Sequence, residues 1–224
     1  MTVWTPKHPA GIQSQWAPPA EDAKWDESNL LVYSTQIKQA RVIHLENVYR
    51  YMWHWLTEEG WSSPHENGSP RWIEDFYGEY RDQQDHKEIR WWWRVQKYNS
   101  GIAGGKHPFF RYKMYVDVLT TNMKRVEIMY KGKKIKPYAG EIIIWVNAIL
   151  ELDYNKWFRK NSGFKLGEIL EEFFLRMIYK DRMREQEVEL RRIAERFVED
   201  IKFYIGLNRT TEVRTPLDEE KQWF

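Results

Sequence analysis

The chain has 224 residues, 35 basic and 33 acidic side chains, a formal net charge of +2 and no cysteine. That length suits one well-buried domain, and the balanced charge argues against a protein whose main task is coating nucleic acid, which calls for a clearly basic domain. The lack of cysteine excludes disulfides, thiolate metal sites, iron–sulfur clusters and cysteine nucleophiles together.

Residues 1–41 carry Pro6, Pro9, Pro18 and Pro19 without sustained periodicity, and read as an extended arm. Disordered segments are poor in aromatics, whereas this one holds Trp4, Trp16 and Trp25. An arm with such anchors is expected to dock, either on another molecule or back on its own domain. The opening stretch MTVWTPKHPAGIQSQW has no apolar run after its basic residue, so no secretory signal is expected. No segment approaches the roughly 20 apolar residues needed to span a bilayer. A soluble protein, cytoplasmic or part of a virion, is the expectation.

From His44, HLENVYRYMWHWLTEEGW places Leu45, Val48, Met52, Trp55 and Leu56 at helical spacing, with Gly60 as the stop. SSPHENGSP is a turn-rich loop. Residues 71–87 are ambiguous, with a short edge strand around Phe76 to Tyr80.

The period then changes from 3.6 to 2. EIRWWWRVQK sets three tryptophans side by side. Because side chains alternate across a strand, Ile89, Trp91, Trp93 and Val95 share one face, and Glu88, Arg90, Trp92, Arg94 and Gln96 the other. Trp91 and Trp93 are therefore expected in the core, while Trp92 needs another partner. FFRYKMYVDVL repeats the alternation, with Phe110, Tyr112, Met114, Val116 and Val118 inward. RVEIMYKGKKIKP reads as a strand and a tight turn at Gly132. GEIIIWVNAILELD is the most apolar strand. Four successive strands joined by short turns predict an antiparallel sheet with one strongly apolar face.

The last third reads as helical. Ser162 caps a helix that continues through Leu166, Leu170, Phe173 and Met177. A second apolar seam runs through Leu190, Ala194, Phe197, Ile201 and Tyr204, and Gly206 marks a helix end. Between the seams KDRMREQEVELRR is nearly all charged, with Glu187 and Arg191 at supportive spacing. The two seams fit either one helix of roughly 40 residues, about 60 Å long, or two helices with a bend near Lys180–Arg184. Residues 208–224 form an irregular tail ending in Trp223 and Phe224.

The predicted architecture is α+β: an antiparallel sheet of four to six strands, an N-terminal helix, and a long C-terminal helix packed on one face. Residues 42–207 form the single domain, between the arm 1–41 and the tail 208–224. The order of elements resembles that of helix-grip proteins, which fold a sheet around a long terminal helix and often hold an apolar ligand. The likeness is one of layout, without a shared motif.

Candidate sites emerge from the two faces. Trp92, Tyr115, Met129, Trp145 and Ile149 fall opposite the core, interleaved with Arg90, Arg94, Arg111 and Lys113. Such aromatic–arginine mixtures compose protein interfaces; they also suit base stacking, or a face covered internally with cation–π contacts. KGKKIK, residues 131–136, is a basic tip that either grips an anion or keeps the sheet soluble. Glu74, Asp75, Glu79, Asp82, Asp85 and His86 read as a solvated acidic segment more readily than as acid–base machinery. Six scattered histidines lack metal-ligand spacing, and the glycines at 101, 104 and 105 do not open a helix as a phosphate loop would. No nucleophile elbow is present.

The expected function is a non-enzymatic assembly subunit of a virion, filament or large complex, without cofactor or metal, whose partner is protein and which forms a homo-oligomer or larger assembly. Its interface would comprise Trp4, Trp16, Trp25, Arg90, Trp92, Arg94, Arg111, Tyr115, Trp145, Trp223 and Phe224. One alternative is a module holding a hydrophobic ligand between sheet and helix, with a cavity lined by Trp91, Trp93, Tyr112 and Met114. The other is a single-stranded nucleic-acid binder using the outer sheet face.

Overall fold

A computed structural model describes residues 29–64, 73–81, 86–100, 106–130, 133–154 and 180–206. Five antiparallel strands form one sheet, with a helix near its N-terminal side and a long C-terminal helix, a mixed α+β architecture. In chain order the elements are β1 (Asn29–Ile43), α1 (Leu45–Glu58), β2 (Glu74–Arg81), β3 (Lys87–Ser100), β4 (Lys106–Arg125), the short β5 (Ile128–Tyr130) and β6 (Lys133–Ile135), β7 (Tyr138–Leu152), and α2 (Lys180–Tyr204). The main sheet runs β1-β7-β4-β3-β2, and β5 pairs with β6 apart from it. Among the described residues the first strand thus pairs with the last.

Two expectations are corrected here. Residues 29–41, read as part of the arm, belong to β1, which pairs along its length with β7. Its inner side mixes Thr35 and Gln39 with Ile37 and Ile43, so its alternation is too weak to stand out from a polar segment. Met129, placed on the outer face of the sheet, instead sits on the β5–β6 hairpin and is 70% exposed. Residues 1–28, the first apolar seam from Leu166 to Met177, and the tail all lie outside the described residues, whereas Lys180–Arg184, the place of the alternative bend, are helical at the start of α2.

The core lies between the inner face of the sheet and the two helices. Trp91 and Trp93 are buried in it, as are Tyr112, Met114, Val116, Ile142, Ile144 and Val146. From α1 come Leu45, Val48, Met52 and Leu56, and from α2 Leu190, Ala194, Phe197 and Ile201. Each fully buried Leu, Ile or Phe contributes about 1.5–3 kcal/mol relative to exposure, so the helix seams alone hold both helices down. Gly60 and Gly206, at φ +78° and +79°, end the helices in the left-handed region that favours glycine.

Polar ties fix the helices to each other and to the sheet. The Trp55 indole N–H donates to Asp200 at 3.0 Å, and its ring packs on Phe197. Tyr51 stacks on Tyr204 with centroids 4.3 Å apart, and Arg196 pairs with Glu59 at 2.6 Å. The Tyr112 hydroxyl donates to Gln186 at 2.8 Å and lies 3.2 Å from Glu189. Burial, with Glu189 second, raises its pKa, so it remains a donor at physiological pH.

β4 is irregular near its end. Between Thr121 and Lys124 it has one residue more than β7 opposite, with Asn122 at φ 54°, a conformation Asn tolerates better than most side chains. Such a bulge reverses the side-chain alternation beyond it. Thr120 faces inward before the bulge, and Met123 and Arg125 face inward after it. Gly140 permits the close approach, because a Cβ there would meet Met123 Sδ at 2.7 Å and Thr121 O at 2.9 Å.

Candidate binding cleft and outer sheet face

Where α1 crosses the end of the sheet, a partly open cleft of about 430 Å³ remains. Its apolar floor is Leu45, Ile89 and Trp91, and tyrosines 49, 77 and 138 stand around it. Glu46 and Arg50 reach it from the first turns of α1, Glu79 from β2, Lys87 from β3, and Arg125 from β4. Strand register explains the convergence. Tyr77 lies opposite Trp91 and Glu79 opposite Ile89, while Arg125 lies opposite Tyr138, so all point to the helix side.

The polar groups are held in place. Tyr49 donates to Glu74 at 2.8 Å, and burial, reinforced by Glu74, raises its pKa. Burial and then Glu79 raise that of Tyr77. The Tyr49 ring meets Trp91 and Trp93 edge-on at 5.7 and 4.9 Å. Lys87 pairs with Glu79 and lies 6.0 Å from the Tyr138 ring centre. Arg125 lies 5.4 Å from the same centre and donates through Nε to the Tyr138 hydroxyl at 3.0 Å.

This cleft differs from the cavity expected between the sheet and the C-terminal helix. Of the four residues named for that cavity, Trp91 lines the cleft; Trp93, Tyr112 and Met114 are at most 1% exposed within packed core. The space described lies beneath α1. Tyr49, Tyr77, Lys87, Arg125 and Tyr138 escaped the sequence reading because they come from five elements. For Arg125 strict alternation even gives the wrong face, since the bulge reverses it.

The outer face divides in two. On β7, Trp145, Asn147 and Ile149 are 9%, 4% and 5% exposed, so that half is buried within the single chain. Toward β2, Trp92 is half-buried, with Phe76 tilted over it at 4.5 Å; Phe76 and Tyr80 are 37% and 65% exposed.

The basic side chains of this face are engaged by carboxylates. Arg90 pairs with Glu88, and Arg111 and Lys113 share Glu151. Arg94 donates to Asp117 at 2.6 Å, lies 4.8 Å from the half-buried Tyr115 ring, and is 4.0 Å from Asp75. Burial pushes the Asp117 carboxyl above its ordinary pKa, with Arg94 opposing. At the basic tip, Lys134 and Lys136 both pair with Glu127.

Trp4, Trp16, Trp25, Trp223 and Phe224 lie outside the described residues, as do Asp82 and Asp85. Of the acidic run, Glu79 lines the cleft, and Glu74 accepts from the lining residue Tyr49. Among the described residues no three His, Asp or Glu side chains gather as a metal site, and no helix is long and apolar enough to cross a membrane. No protein-family model matches the chain, and no curated protein is similar to it.

Proposed function

We propose that this protein is a non-enzymatic binding module that holds a small planar ligand in the cleft between α1 and the sheet. The carrying observation is the cleft itself: about 430 Å³, within the range of roughly 300–1,000 Å³ that small-molecule sites occupy. Its composition fits that use, with an apolar floor, aromatic walls and a few fixed polar groups at the mouth. The roles divide by position: Ile89 and Trp91 bury the ligand body, Tyr49 and Tyr77 flank it, and Tyr138 orients it.

Isothermal titration with a neutral planar aromatic such as 2-naphthylmethanol tests this, with quenching of indole fluorescence as a second readout. Binding is expected in the micromolar to millimolar range. Tyr77→Ala is expected to weaken it about 2–10-fold, the worth of one aromatic contact. Tyr77 is 51% exposed, so the fold should be little changed. No heat and no quenching at millimolar probe, or identical affinity in the variant, would overturn the reading.

A second reading, the assembly subunit, is favoured by the aromatic edge at β2. Phe76, Trp92 and Tyr80 stand where the sheet ends among the described residues, and unpaired strand edges with exposed aromatics are sites of association. Light scattering should give an oligomeric mass that Phe76→Asp or removal of residues 1–28 reduces. A monomer at high concentration would end this second reading.

A further inference from the structure

Building on the cleft reading, we infer that the ligand carries an anionic oxyacid group, a carboxylate or its like, seated at the mouth beside Arg50, Arg125 and Tyr138. Three cationic side chains and two carboxylates line the cleft. Lys87 and Glu79 neutralise each other as a pair. Glu46 sits in the first turn of α1, where the positive end of the helix dipole favours a carboxylate. Although Arg50 lies four residues on, at a spacing where such a pair normally forms, it makes no ion pair among the described residues. Its guanidinium is exposed and borders the cleft.

Tyr138, also in the lining, keeps a donor of its own. Its hydroxyl accepts from Arg125 Nε at 3.0 Å, and a phenolic oxygen that accepts still has its own O–H to give. Arg125 carries five N–H donors, enough to serve several acceptors at once. Arg50, Arg125 and the Tyr138 hydroxyl thus add donors and positive charge to the lining of a cleft whose floor is apolar and whose walls are aromatic. A cationic head would be repelled by those guanidiniums, and a neutral one would gain little from their charge. The β4 bulge is what brings Arg125 to this face, so the device is built into the backbone.

Titration of the full chain with 2-naphthoate, 2-naphthylmethanol and 2-naphthylmethylammonium separates the possibilities. The carboxylate is expected to bind about 10–100-fold tighter than the alcohol, the range of a charge-assisted hydrogen bond, with the ammonium weakest. Raising salt should erode that preference. Arg50→Gln and Arg125→Gln, both at exposed positions, are each expected to reduce that carboxylate-over-alcohol preference to about 3-fold or less. If the three probes bind equally, or the variants keep the preference, the anion assignment fails while the cleft stands. If none of the three binds, the cleft reading falls, and this inference with it.

Discussion

Trp93→Ala should cost about 3–5 kcal/mol of unfolding free energy, the range for removing a buried aromatic from a packed core. The indole is 0% exposed, meets Tyr49 edge-on at 4.9 Å, and belongs to the same buried cluster as Met52 and Val116. Cavity formation adds to the lost transfer energy because strands on both sides limit collapse of the hole. The neighbouring Trp92→Ala is the internal control. Its ring is half-buried on the opposite face and packs on the exposed Phe76, so its cost should be smaller, about 1–1.5 kcal/mol. Guanidinium chloride unfolding of the two variants measures both, and equal losses would contradict the separation of the faces.

Arg94→Met should be comparably severe, about 3–5 kcal/mol near neutral pH, because it leaves the Asp117 carboxylate buried without its cation. Asp117 is 5% exposed, and Arg94 is what holds its pKa down against the effect of burial. The pH dependence fixes the sign. A carboxyl whose pKa is raised in the folded state binds a proton more tightly there than in the unfolded chain, so stability falls as pH rises through the folded pKa. Removing Arg94 raises that pKa further. The deficit of the variant relative to the parent should therefore shrink as pH falls and Asp117 becomes neutral in the folded variant. Arg94→Met combined with Asp117→Asn should recover much of the loss at neutral pH, since no buried charge is then left over. A pH-independent deficit, or no recovery in the double variant, would contradict this account.

Trp93 and Arg94 differ in how far their places can be read from local pattern. EIRWWWRVQK alone separates Trp91 and Trp93 from Trp92, because alternation is a local consequence of extended backbone. It also puts Arg94 on the outer face, and the register then sets it opposite Tyr115, with Asp117 two residues along the same face. Its deep burial and its bond to Asp117 were not legible, since they depend on which strand lies alongside and in what register. β1 was missed for a related reason. An edge strand with Thr35 and Gln39 on its inner side gains its stability from pairing with β7, not from a pattern of its own.

By itself the amino-acid sequence determined the elements whose periodicity is strong and local: α1, the strands from β3 to β7, the α2 seam from Leu190 to Tyr204, and the faces of β3 and β7. It also excluded thiol chemistry outright. Only the tertiary structure decided that β1 closes the sheet against β7, that the outer-face cations are satisfied by carboxylates, and that space remains beneath α1. The candidate site belongs to this second class. Its walls come from α1 and four strands, and a single inserted residue in β4 turns Arg125 to the inner face. Local periodicity reports which way a side chain points along one segment. A cleft depends on distances between segments, and those are set by register and packing.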